Sequence, residues 1–90
     1  MVVRPALVLA VRPTGIDSPL LWTVMITNAA RVDWPGDIPI PDYERLGLII
    51  PSKVRTAKLA TVVASDATSL GRLDKATWTV VRGLVLHALE

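Results

Sequence analysis

Six residues of this chain, Arg4, Thr27, Asn28, Lys53, Arg55 and Thr56, combine cations with hydroxyl and amide donors and include neither a histidine nor a carboxylate. Such a set suits the handling of a phosphodiester without a metal ion. Cutting RNA in that way has three requirements. The 2′-OH must be activated, the departing 5′-oxygen needs a proton, and the charged phosphorane between them needs stabilising. A guanidinium holds two phosphate oxygens at once. Hydroxyl donors orient them, and the electrostatic contribution is often the largest in such a site. Taken singly, each residue has an ordinary structural explanation, such as a charge at a strand start for Arg4 and plain β-propensity for Thr27. Spacing alone lifts none of them above it.

Other chemistries find less material. His87 is the only histidine and falls in the last turn of a helical stretch among apolar residues, so it reads as a packing or surface residue rather than a ligand. No pair of acids has the spacing of a calcium loop or a zinc-protease helix, and no glycine-rich phosphate loop is present. The absence of cysteine excludes disulfides and thiolate zinc sites. Neither a metal nor a cofactor is implied. Lys and Arg exceed Asp and Glu by 10 − 8 = +2, a mild excess that does not by itself imply nucleic acid. Its distribution says more. Lys53, Arg55 and Lys58 fall within six residues that contain no acid, whereas four of the eight acids lie between Asp33 and Glu44. The basic cluster is a candidate phosphate contact. On charge alone an ordinary solvated strand edge explains it as well.

The elements that must position these residues are mostly strands. Residues 5–11 (PALVLAV) are a continuous apolar run suited to a strand buried on both faces. Residues 20–28 (LLWTVMITN) form the next strand, with Thr27 on its more polar face, and the two make a hairpin with a long loop. Trp34-Pro35-Gly36-Asp37 is a turn signal. Ile38 and Ile40 then alternate with prolines, so that segment is extended but confined to a sheet edge. Asp42 is placed to cap one helical turn closed by Gly47. Residues 53–64 are the longest strand candidate, with Lys53 and Arg55 on one side and Lys58 on the other. Residues 70–73 suggest a short strand. Asp74 then caps an amphipathic helix with apolar positions at Trp78, Val81, Val85 and Leu89.

The chain is 90 residues and one domain, 1–90. Its expected class is mainly β (α+β), a small, partly open barrel with a C-terminal α-helix. A composition 51% hydrophobic exceeds what so small a core needs. A subunit or partner interface, non-specific stickiness or a fragment of a larger fold would each account for the excess. The longest uncharged run, residues 18–30, is 13 residues, too short to span a bilayer. The N-terminus makes a poor signal peptide, because Arg4 interrupts its apolar stretch and no small-residue cleavage site follows. A soluble, cytoplasmic protein is expected.

Several segments resemble the MazF/PemK family of toxins. Arg4-Pro5-Ala6-Leu7-Val8 is similar to the segment that opens the family's second strand. Met25-Ile26-Thr27 resembles the strand ending in its paired Thr. The Trp34-Pro35-Gly36-Asp37 turn with Ile38 and Ile40 resembles a bacterial PemK-like subgroup. Residues 52–58 (SKVRTAK) resemble its S-x-V-R-T strand, and Gly71-Arg72-Leu73 before a final helix fits as well. The matches run in order along nearly the whole chain. They lack the family's usual N-terminal strand, and Lys58 stands where many members carry an Asp.

The resemblance implies an SH3-like barrel that forms a homodimer. It also implies the toxin of a toxin–antitoxin pair, a sequence-specific, metal-independent endoribonuclease on single-stranded RNA that a small antitoxin protein neutralises. Arg4 is then the catalytic acid and phosphate stabiliser, and Thr27 its catalytic partner at the scissile phosphate. Asn28, Lys53, Arg55 and Thr56 are the RNA-binding set. The alternative is a truncated, catalytically inactive relative acting as a partner- or nucleic-acid-binding dimerisation module.

Overall fold

The computed structural model describes residues 4–15 and 17–89. Residues 1–3, which open the apolar N-terminal stretch, lie outside the described residues, as do residues 16 and 90. The chain forms β1 (Ala6–Arg12), β2 (Leu20–Asn28), β3 (Asp37–Pro39), β4 (Ser52–Val63) and one helix, α1 (Lys75–Ala88). Short 3-10 turns lie at Tyr43–Leu46 and Ala64–Asp66. The sheet is antiparallel throughout, in the order β1-β2-β4-β3. It curls as a half-barrel with α1 against it, the mainly β architecture with a C-terminal helix that the pattern of elements predicts.

One face of the sheet makes the core. Val24 of β2 and Val54 of β4 lose all exposure beside Val81 of α1, and Ile40 and Leu46 complete the buried cluster. Leu7, Ile26, Ile38, Leu73 and Val85 pack around it. Burying each Val against solvent contributes about 1.5–3 kcal/mol. The helix begins where Asp74 Oδ2 accepts the Thr77 amide at 2.9 Å and the Thr77 hydroxyl at 2.8 Å. This satisfies one of the donors that a helix N-terminus leaves open.

Four local expectations need correction. β1 is not buried on both faces. It lies at the sheet edge, and its exposure alternates, with Val8 and Val11 open to solvent. Residues 70–73 pair with no strand and run as irregular chain into Asp74. Asp42 makes no side-chain cap at the 3-10 turn, although left-handed Gly47 (φ 76°) closes it as expected. Fourth, β4 does not keep its two-residue period. Val24 pairs with Leu59, yet the next residue, Met25, pairs with Arg55, so residues 56–58 have no opposite number on β2. The strand breaks its ladder there and resumes, as inserted residues force it to do. Its first part pairs with both β2 and β3, its second part with β2 alone.

Candidate functional site: a cationic pocket beside the β2–β3 loop

A polar pocket of about 230 Å³ opens where the end of β2, the start of β1 and the broken part of β4 meet. Its size is that of roughly seven or eight waters at ~30 Å³ each. Arg4 and Thr27 face it together, because Pro5 accepts the amide of Ile26 at 3.2 Å and Ala6 pairs with Met25. Arg55 lines it from β4, and Arg31 and Trp34 line it from the loop after β2. Lys58 lines it too. A regular strand would send Arg55 and Lys58 to opposite faces, because they are three residues apart. The inserted residues 56–58 turn the chain and bring both to one pocket.

The cations divide into two groups. Arg55 and Lys53 are consumed by the protein itself. Arg55 Nε and Nη2 donate to the two oxygens of Asp37 at 3.1 and 2.9 Å, and Nη2 also donates to the Val32 carbonyl at 2.8 Å. Lys53 Nζ donates to the Arg31 carbonyl at 2.6 Å and to Asp33 at 2.8 Å, and lies 3.2 Å from Asp37. The side chains of Lys53, Arg55 and Asp37 retain 4%, 9% and 3% of their exposure. The Arg55 fork, the Trp34 amide and Lys53 together hold the Asp37 carboxyl down at about 2, against an ordinary 3.8, despite the opposing effect of burial. The network clamps residues 31–37 onto β4. Arg4, Arg31 and Lys58 are different. All three are exposed, and among the described residues their side chains have no acid partner. Thr27 is half-buried and lines the pocket, and its hydroxyl makes no side-chain hydrogen bond among the described residues.

The remaining two candidates lie apart from the pocket lining. Asn28 Oδ1 accepts the Ala30 amide at 2.9 Å, a local turn at the exit of β2. The Thr56 hydroxyl donates to the Gly36 carbonyl at 2.7 Å. Gly36 has φ 88°, and a Cβ there would run into Thr56 Oγ1, so both the turn and its seat require glycine. The pocket thus gathers Arg4, Thr27 and Arg55 of the six and adds Arg31, Trp34 and Lys58. Lys53 and Thr56 hold the wall in place. Neither Asp33 nor Asp37 is among the six, although the acids of residues 33–44 are a complementary signal for the acid-free cluster at 53–58.

Trp34 completes the site. Arg55 Cζ lies 3.9 Å from its ring centroid, a close cation–π stack. Among the described residues no carboxylate or histidine lines the pocket. Among the described residues no group of three or more His, Cys, Asp or Glu is placed to hold a metal ion. No described helix is long and apolar enough to cross a membrane. A second, larger groove of about 580 Å³ lies between α1 and the far half of the sheet, lined mainly by apolar side chains such as Leu9, Trp22, Leu59, Trp78 and Leu86. Among the described residues Arg82 is its only ionisable lining residue, so it offers a surface rather than a reaction. No family model and no curated protein matches the chain.

Proposed function

We propose that this chain is a MazF/PemK-like toxin, a metal-independent endoribonuclease that binds single-stranded RNA in the cationic pocket. One observation carries the reading. Three exposed cations, Arg4, Arg31 and Lys58, line a pocket together with Thr27, and among the described residues they have no acid partner and the pocket has no carboxylate in its lining. Such a pocket attracts a phosphodiester and repels nothing in it.

The chemistry on this reading assigns roles to the lining residues as the family resemblance implies. Arg4 grips the scissile phosphate, and Thr27 donates a hydrogen bond to one of its oxygens. The 2′-oxygen attacks phosphorus, its proton passes to water, and the bond from phosphorus to the 5′-oxygen breaks. Arg4 supplies the proton that makes the 5′-OH and regains one from solvent. The products are a 2′,3′-cyclic phosphate and a 5′-OH end. Arg55 keeps its place through Asp37 and acts as a fixed wall charge, with Lys53 and Thr56 behind it. Asn28 shapes the turn that carries Arg31. The working form on this reading is a cytoplasmic homodimer held in check by an antitoxin.

The test is cleavage of a long single-stranded RNA in EDTA, with end-group analysis. Arg4→Ala is expected to lower kcat by about 10²–10³, the usual effect of removing one transition-state donor. Inert protein, or cleavage that requires Mg²⁺, sinks the reading. A second reading, a partner- or nucleic-acid-binding module that does not cut, is favoured by the open β1 edge and the apolar groove beside it. Salt-dependent RNA binding without cleavage selects it.

A further inference from the structure

The three tryptophans are held very differently. Trp78 is half-buried against the sheet. Trp22 is 50% exposed, and the Arg12 that approaches its ring at 5.2 Å has no carboxylate partner among the described residues. Trp34 is 43% exposed yet fixed from three directions. Arg55 lies under one face of the ring at 3.9 Å, and Arg55 is itself forked onto the buried Asp37. The Trp34 amide donates to Asp37 Oδ2 at 3.0 Å, and the Trp34 carbonyl accepts the Asp37 amide at 3.0 Å. One buried carboxylate therefore anchors both the ring's backbone and the cation beneath it. An exposed indole gains nothing for the core from so much restraint. A ligand that needs a flat apolar surface gains a great deal, because the ordering is complete before it arrives.

Resting on the RNA-binding reading of the pocket, we infer that Trp34 is a preorganised stacking platform for one nucleobase of the bound strand, adjacent to the phosphate held by Arg4 and Thr27. Arg31, Lys58 and Arg4 take the sugar–phosphate chain, and Trp34 takes a base. A pocket built only of cations would bind any polyanion. The platform makes it select a polyanion that carries rings. Stacking tolerates every base, since each has a π-face, so Trp34 contributes base dependence and orientation rather than a sequence code.

The experiment compares two uncleavable probes, a random-sequence 2′-O-methyl decamer and an abasic decamer of equal charge. Binding is read by fluorescence anisotropy. Wild-type protein is expected to bind the base-bearing strand roughly 5- to 150-fold more tightly, the range for a stacked base. Trp34→Ala is expected to lose most of that ratio while keeping its salt-dependent affinity for the abasic strand. Trp34→Phe keeps most of it. In a Trp22→Phe/Trp78→Phe background, emission from Trp34 is expected to be quenched by the base-bearing strand and not by the abasic one. A ratio that is the same in wild type and Trp34→Ala overturns the platform and leaves the RNA-binding reading standing. A wild-type protein that binds neither probe overturns both. Thermal melts of both Trp34 variants separate lost stacking from lost fold.

Discussion

Asp37→Asn removes the charge on which the wall of the site depends. The Asp37 carboxyl titrates at about 2 in the folded chain against an ordinary 3.8. At about 1.36 kcal/mol per power of ten, its ionised form contributes on the order of 2 kcal/mol. Removing one partner from a buried ion pair costs about 3–5 kcal/mol when the other charge is stranded. The smaller figure governs here, because Lys53 retains Asp33 and Arg55 retains the Val32 carbonyl. The sign follows from linkage. The folded state holds the proton less tightly than the unfolded chain, so the contribution is full above about pH 4 and fades as pH falls through 2. Asn resembles the protonated carboxyl in shape. Denaturant unfolding of wild type and Asp37→Asn is therefore expected to differ by about 2 kcal/mol at pH 7 and by less than about 1 kcal/mol at pH 2. The melting temperature at pH 7 is expected to fall by about 10–20 °C for a domain of this size. A gap under about 0.5 kcal/mol at pH 7, or one unchanged at pH 2, refutes the assignment of Asp37 as the anchor.

Three further outcomes are expected. Gly36→Ala combines a left-handed backbone, about 1–2 kcal/mol for an L-residue, with displacement of the Thr56 hydroxyl bond, about 1 kcal/mol. Thr56→Ala should cost about 1 kcal/mol alone and almost nothing in the Gly36→Ala background, as a double-mutant cycle would read out. Asp74→Ala is expected to cost about 1 kcal/mol through loss of the helix cap, measured by chemical denaturation. Val54→Ala, at a position with no exposure, should cost about 2 kcal/mol, whereas Ile49→Ala, at 94% exposure, should stay within about 0.5 kcal/mol in the same assay.

Local patterns in the sequence carried the architecture well. The Trp, Val, Ile and Thr content of residues 20–28 located β2, the prolines around Ile38 consigned β3 to an edge, and Asp74 marked the helix start. β1 was harder. A run such as PALVLAV has no period, so it reads alike whether a strand is covered on two faces or on one. The site was less legible for two reasons. Arg31 and Trp34 come from a loop, where no periodicity assigns a side chain to a face. Lys58 reaches the pocket only because β4 breaks its ladder, and a break of that kind carries no residue signature in SKVRTAK. The roles of Lys53 and Arg55 depend on β3 lying beside β4. That adjacency brings Asp37 opposite Arg55, and it is a property of topology rather than of either segment.

The break in β4 also dictates how this site can change over evolutionary time. Of the side chains at residues 56–58, the exposed Ala57 alone is free to drift, because Thr56 seats Gly36 and Lys58 lines the pocket. The number of residues there is not free. Losing one would rotate Lys58 out of the pocket or slide Arg55 off Asp37, because every strand position alternates face. Point substitutions would then tune the pocket gradually, while a single-codon deletion would dismantle it in one step and leave the buried valines of the core untouched. Homologous chains that keep the pocket should therefore vary at the position of Ala57 and hold the length of this stretch constant.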